Sequence, residues 1–359
     1  MPDQPEISQP EILTESRGRL GLITLDRPEA LNALTLAMVR AMRVALDGWA
    51  NDPAISCVAI RAAGGRAFCA GGDIQTIYRQ RQEGQAGESL TFWAEEYDLN
   101  RVIKRYPKPY IALTDGIVMG GGVGVSVHGS HRVAGERFQF AMPEVGIGFF
   151  PDVGATYALP RLPWRAGFWL ALTGGRIGRG TAAAFGLATH CVASTRFDAV
   201  IEALAAGEAP HQVLIREAVP AGEAPELAQA GVVARCFAGA TIEEILAALD
   251  EAAAASSAFA ADAAASMRAK SPTSLKLTLA ALHLGRRLEF EEAMRLEYRI
   301  CSRIIAGHDL YEGIRAQVID KDRNPRWQPP ALSEVASEAI EAYFADLGAD
   351  ELVFRDGAA

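Results

Sequence analysis

The chain has 359 residues, half of them apolar, with 35 Lys and Arg against 44 Asp and Glu and a net charge of −9. That length can bury a large core and divide into about two domains, and the acidic balance, without a dense lysine or arginine run, speaks against nucleic acid as a partner. The most apolar stretch, GIVMGGGVGVSV at 116–127, is shorter than the roughly 18 residues of a spanning helix and is broken by glycine, so no membrane partner is expected.

Residues 1–15, MPDQPEISQPEILTE, are acidic and proline-bearing, without the basic start and apolar block of a signal peptide. They read as a flexible cytoplasmic leader. RLGLITLD (19–26) alternates like a strand, RPEALNAL turns, and the following segment carries apolar residues at helical spacing after a Thr35 cap. ISCVAIRAA (55–63) predicts a second strand and GGRAFCAGGD a glycine loop, with Asp73 placed to cap the next helix. Residues 88–106 predict a long helix, KPYIALTDG a strand, GGGVGVSVHG a glycine-opened helix, and HRVAGERFQFAMPE short strands. Strands and helices in this order indicate an α/β layer structure. From about residue 200 the chain turns alanine-rich and strand-poor, with helical patterns continuing through SLKLTLAALHL, FEEAMRLEYRICSRII and DLYEGIRAQVID. A helical second domain is expected to begin there.

The five cysteines (Cys57, Cys69, Cys191, Cys236, Cys301) are odd in number, far apart and never in a CxxC pair, and the six histidines show no metal-binding spacing. Small core cysteines and no metal are expected. Two glycine-rich loops, FCAGGD (68–73) and MGGGVG (119–124), each run into a predicted helix whose first N–H groups lack partners. Neither has the spacing of a phosphate loop or a dinucleotide fingerprint, and GVSVHG is not the GxSxG of a serine hydrolase. Two such loops can instead aim two amides at one developing oxyanion. The run AMPEVGIGFFPDVGATYALPRL (141–162) then holds Glu144 and Asp152 among glycine, proline, alkyl and aromatic residues. A solvated loop would not be composed this way; the two acids are expected to be buried or at a pocket wall, where carboxyl groups serve as acid, base or nucleophile.

LDRPEALNAL, RAFCAGGDI, KPYIALTDGIVMGGGVG and AMPEVGIGFFPDVGATYALPRL, in that order, resemble the crotonase (enoyl-CoA hydratase/isomerase) superfamily over about residues 18–190. GGGVGVSVHG, AMPEVGIGFFPDVG, SPTSLKLT, MRLEYRI and DLYEGIRAQVIDKDRNPRWQP are similar to its 3-hydroxyisobutyryl-CoA hydrolase branch and extend the resemblance to residue 330. The resemblance implies an α/β fold, a spiral of ββα units with a helical C-terminal region. It divides the chain into a leader (1–15), spiral core (16–200), helical region (201–346) and tail (347–359), and leaves homo-oligomer contacts open. It implies an acyl-CoA thioester substrate and no cofactor, CoA being part of the substrate.

Carried residue by residue, the resemblance makes the Gly72 and Gly121 amides the oxyanion donors and Glu144 and Asp152 the catalytic carboxylates. It places Glu96 in the substrate pocket, although WAEEYDLN by itself reads Glu96 as a solvated helix charge. Ala70 is expected near the CoA adenine, and Trp93, Tyr97, Phe149 and Phe150 along the acyl pocket. Arg27 and Lys321 are candidate phosphate contacts. Hydratases of the family carry a second glutamate at the position of Gly124, which is therefore counted with the substrate-binding residues. Its absence, with Asp152 present, favours thioester hydrolysis over hydration. The alternatives are a hydratase or isomerase of the same fold, in which Asp152 is unexplained, and an idle acyl-CoA-binding scaffold, which would not need Glu144 or the glycine donors.

Overall fold

A computed structural model describes residues 10–355. Its strands, in chain order, are β1 (Ile12–Arg17), β2 (Leu20–Leu25), β3 (Cys57–Ala62), β4 (Ala67–Cys69), β5 (Tyr110–Thr114), β6 (Ile117–Met119), β7 (His131–Ala134), β8 (Gln139–Ala141), β9 (Ile177–Gly178) and β10 (His190–Cys191). They form two sheets, one ordered β1-β2-β3-β5-β7-β10 and the other β4-β6-β8-β9. From β2 to β10 the first sheet is parallel, as is β4-β6-β8 in the second. Strands β3, β5 and β7 are each followed at once by a strand of the other sheet, and then by a helix or helical turn. This alternation is the spiral of ββα units expected from the sequence.

The parallel sheet is covered on both faces, which is why its strands read as nearly continuous apolar runs. Side chains alternate between two cores. Ile23, Leu25, Val58, Ile60, Tyr110 and Ala112 enter the larger one, packed with helices α1 (Leu36–Ala50), α2 (Ile74–Gln82) and α3 (Ala86–Lys104). Leu20, Leu22, Cys57, Ala59, Ile111 and Leu113 face the other way. The α1 start is where the sequence puts it: Thr35 Oγ1 accepts the Met38 N–H at 3.2 Å. All five cysteines are buried.

Four expectations need revision. GGGVGVSVHG forms only one helical turn, α4 (Gly121–Gly124). Glycine is a poor helix former, and here it is retained for closeness: a methyl group at Gly122 would lie 2.4 Å from Cys69 O. Helix precedes residue 200, in α5 (Ala155–Ala158), α6 (Ala166–Thr173) and α7 (Arg179–Ala184). Past it, α8 (Phe197–Ala205) and α9 (Pro210–Arg216) cover the second face of the first sheet, so the core runs through residue 200 without a break. Helices α10 (Ala230–Cys236), α11 (Ile242–Ala254), α12 (Ala258–Arg268), α13 (Pro272–Gly285), α14 (Phe290–Ile304) and α15 (Asp309–Ile314) then add to the larger core. Residues 1–9 of the expected leader lie outside the described residues, but 12–15 belong to β1, because Ile12–Arg17 pair antiparallel with Leu20–Leu25.

The expected tail, of which residues 356–359 lie outside the described residues, is docked on α3 and α14. Leu352 is buried, Glu351 pairs with Arg299 at 2.7 Å, and the Arg101 guanidinium lies 5.2 Å from the Phe354 ring centre. Leu352→Ala is therefore expected to lower the unfolding free energy by about 2–5 kcal/mol, the range for truncating a buried leucine. Urea denaturation of the full chain checks this; an unchanged midpoint would show that the tail is not docked.

Candidate active site

The two glycine loops meet. A methyl group at Gly120, whose φ is +47°, would lie 3.1 Å from Gly71 Cα, and Gly71 itself has φ +121°. Only glycine takes both conformations at this separation without strain. The residues that follow, Gly72 and Gly121, line one wall of a cavity of about 330 Å³. Gly121 opens α4, so its N–H has no acceptor within the helix. In the bridge between Leu34 and Gly72, the donors are the Leu34 and Asp73 amides. Among the described residues, the Gly72 N–H has no backbone acceptor.

The acids lie beside the glycines: a methyl group at Gly120 would come within 3.3 Å of Glu144 Oε1. Glu144 begins a 3₁₀ turn, Glu144–Ile147, that follows β8; Asp152 precedes α5; and Glu96 projects from α3. All three line the cavity, and each is less than a tenth exposed. Tyr97 O–H donates to Asp152 Oδ2 at 2.8 Å, and Cys301 Sγ lies 3.0 Å from the same hydroxyl oxygen. Among the described residues, Glu96 Oε1, Glu144 Oε2 and both amide atoms of Asn100 are buried without a partner. Glu96 Oε1 would lie 2.6 Å from a methyl group at Gly121. Behind Asp152, Glu297 of α14 accepts hydrogen bonds from Gly154 N–H at 2.7 Å and Thr156 N–H at 3.0 Å, and from the Thr156 hydroxyl.

The charges that face these acids are mainly other acids. Burial, then the Asp152 charge, raises the Glu144 carboxyl well above the usual range. Burial, followed by Asp152 and Glu297, does the same to Glu96. Burial lifts Asp152 to about 7 against the opposing Tyr97 hydrogen bond, and Glu297 to about 8. The cavity is thus lined by carboxyl groups that retain protons near neutral pH. Burial lowers the pKa of the Lys270 ammonium, which lines the same cavity.

Ala70, Trp93 and Phe149 line the cavity, with the two rings stacked 5.4 Å apart. Other expected residues do not. Tyr97 and Phe150 are fully buried and lie outside the wall, Tyr97 because its hydroxyl is drawn to Asp152. Gly124 also lies outside the cavity; a methyl group there would meet Asn100 Nδ2 and Val153 Cβ, each at 2.8 Å. Arg27 is held by Glu11 at 2.9 Å and Asp73 at 3.0 Å, and Asp73 also caps α2 by accepting the Thr76 N–H. Lys321 is exposed and does not line the cavity. Ser126 and His128 do not meet: the serine hydroxyl donates to Gly122 O at 2.6 Å, while His128 Nε2 lies 2.7 Å from Val153 O.

Glu297, Asn100, Lys270, Leu310 and Gln317 were missed as site residues. For the first two a signal existed. Glu297 interrupts the apolar row Ala293, Ile300, Ile304, and Asn100 the row Trp93, Tyr97, Ile103, each at helical spacing. Lys270, Leu310 and Gln317 come from the helical region, whose fold over the cavity no local pattern announces.

Residues 20–344 match the family model described as enoyl-CoA hydratase/isomerase. The chain is 42% identical over 354 residues to a rat protein named 3-hydroxyisobutyryl-CoA hydrolase, mitochondrial, covering 96% of this chain and 91% of that one. It is 41% identical to the human protein of the same name, with the same coverage. Among solved structures it is similar to a carnitinyl-CoA dehydratase from Mycobacterium thermoresistibile (TM-score 0.91, 40% identity, 96% of this chain and 99% of that one). It is also similar to an enoyl-CoA hydratase from Rhodobacter sphaeroides 2.4.1 (TM-score 0.89, 41% identity, 96% and 100%). With its ββα spiral, paired glycine loops and these matches over nearly its whole length, the chain belongs to the enoyl-CoA hydratase/isomerase family.

Proposed function

We propose that the chain is an acyl-CoA thioester hydrolase acting on 3-hydroxyisobutyryl-CoA, without a cofactor. The observation that carries this reading is one cavity whose wall brings together Gly72, Gly121, Glu144 and Asp152. The names of the rat and human relatives support the substrate. The two similar solved structures are named as a dehydratase and a hydratase. Against that reading, a hydratase of the family needs a second glutamate at position 124. Here that position is glycine, with no room for a side chain. The place of action we propose is the cytoplasm; the two relatives are mitochondrial by name.

In the proposed mechanism the thioester carbonyl oxygen takes hydrogen bonds from the Gly72 and Gly121 amides, which stabilise the oxyanion as the carbonyl is attacked; one such donor is worth roughly 3–4 kcal/mol. Glu144 and Asp152 share protons because burial and their mutual repulsion disfavour double ionisation. The reactive arrangement is the less populated one, because the Asp152 charge favours a proton on Glu144: with the proton moved to Asp152, the ionised Glu144 oxygen attacks the carbonyl carbon. The carbon–sulfur bond breaks, and the CoA sulfur takes the proton held by Asp152. The resulting anhydride is cleaved by water, which gives a proton to the Asp152 carboxylate and regenerates Glu144. Trp93 and Phe149 supply the apolar wall for a short branched acyl chain.

Free-thiol release with 3-hydroxyisobutyryl-CoA tests the reading. Glu144→Gln is expected to slow release by at least about 10²-fold, the scale of a positioned acid–base group. In a single turnover in ¹⁸O-water, hydroxylamine is expected to capture Glu144 as its hydroxamate. Hydration of crotonyl-CoA at a comparable rate, with no thiol released, would overturn the assignment.

The raised pKa of Asp152 also has a consequence for stability. The folded protein holds this proton between pH 3.8 and about 7, whereas the unfolded chain does not. The stability it contributes is complete below that window and lost as pH rises through about 7. Asp152→Asn is therefore expected to lose less of its urea midpoint than the parent between pH 5 and pH 8. Equal losses would place Asp152 at an ordinary pKa.

A further inference from the structure

Asp152 is followed by a backbone conformation that its sequence disfavours. Val153 has φ +53°, in the left-handed region, although it is β-branched, and Gly154 follows at φ +83°. For a β-branched residue this conformation costs on the order of 1–3 kcal/mol and persists only where the surroundings over-determine it. Three contacts do so. Glu297 takes the Gly154 and Thr156 amides and the Thr156 hydroxyl, and is wholly buried. His128 Nε2 donates to Val153 O at 2.7 Å; burial pushes this imidazole down to about 4, so it is neutral and its one proton is the one donated. The Val153 side chain rests on Gly124, where a methyl group would come within 2.8 Å of its Cβ.

These contacts come from distant parts of the chain. Glu297 lies on α14, 143 residues from Gly154, and His128 follows α4. The His128 ring meets Phe290, the first residue of α14, at 4.8 Å edge to face, so the two arms of the clamp brace each other. A methyl group at Gly154 would lie 2.6 Å from His128 Nε2 and 2.8 Å from the Phe290 ring, which leaves the turn no room to shift.

We propose that Glu297 and His128 are positioning residues: they hold the Asp152 carboxyl at the cavity by clamping Val153 in a left-handed conformation that it would otherwise leave. The clamp does not touch substrate. Gly124 takes part as the seat of the Val153 side chain, which gives a reason for glycine there that is independent of acyl-pocket volume.

The proposal rests on the hydrolytic role of Asp152, and the experiment separates the two. Thiol release is measured on the full chain with 3-hydroxyisobutyryl-CoA. Glu297→Gln is expected to lower kcat by roughly 10²-fold, the effect of displacing a reacting group by about 1 Å, with KM little changed. Adding Val153→Gly should recover at least about tenfold of the lost kcat, because glycine takes positive φ without strain and no longer needs the clamp. A Glu297 that served only to stabilise the fold would not be rescued in this way. Should Glu297→Gln not fold, His128→Leu serves instead. It is expected to lower kcat, His128→Gln to keep an N–H for the Val153 carbonyl and retain most of it, and Val153→Gly to rescue the leucine variant. Full turnover in Glu297→Gln, or no rescue by Val153→Gly, overturns the clamp while Asp152→Asn remains impaired. An unimpaired Asp152→Asn overturns the clamp and the hydrolytic reading together.

Discussion

The cost of burying acids without cations governs this molecule. Glu96, Glu144, Asp152 and Glu297 are each less than a tenth exposed; burial raises all four, and carboxyl charges raise Glu96, Glu144 and Glu297 further. An unpaired carboxylate is too expensive to keep in such a place, so the groups take up protons or collect hydrogen-bond donors. Asp152 has the Tyr97 hydroxyl and Glu297 has two amides and a hydroxyl, whereas an oxygen of Glu96 and one of Glu144 have none. The satisfied pair is held by the protein. Glu96, Glu144 and Asp152 line the cavity, where a substrate can meet them, and Glu297 does not.

The ββα spiral explains how the glycine-loop amides come to lie beside these acids. Successive units place second-sheet strands side by side, so the loops after β4 and β6 emerge next to each other. Glycine at 71 and 120 lets them touch, and among the described residues the next amide in each loop has no backbone acceptor. The loop after β8 brings Glu144 to the same end of the sheet. The scaffold thus delivers two donors and one acid from three repeats of one local pattern.

The helical region is part of the active site rather than an appendage to it. Lys270, Leu310 and Gln317 line the cavity, and α14 carries Glu297 and Cys301 beneath Asp152. The continuous core across residue 200 has the same meaning. Helices α8 and α9 close the outer face of the first sheet, and the later helices pack on the inner core. Removing the helical region would uncover apolar surface on both faces of the sheet.

The sequence by itself determined the features that depend on near neighbours. RLGLITLD and ISCVAIRAA marked β2 and β3, though not β1, Thr35 marked the start of α1, and the glycine clusters marked the two loops that meet. An apolar run around Glu144 and Asp152 was enough to place both acids in a buried setting. Tertiary structure decided everything that needed two distant segments at once. Glu96 read as a solvated charge because nothing within WAEEYDLN shows that its helix face turns inward toward Gly121. Gly124 read as a cavity residue until Asn100 and Val153 were seen packed against it. The left-handed turn at Val153 could not be read locally at all, because a β-branched residue disfavours it and the groups that enforce it lie far away along the chain. Local propensity is a sum over neighbours in sequence, whereas strain and burial are set by whatever the folded chain brings alongside.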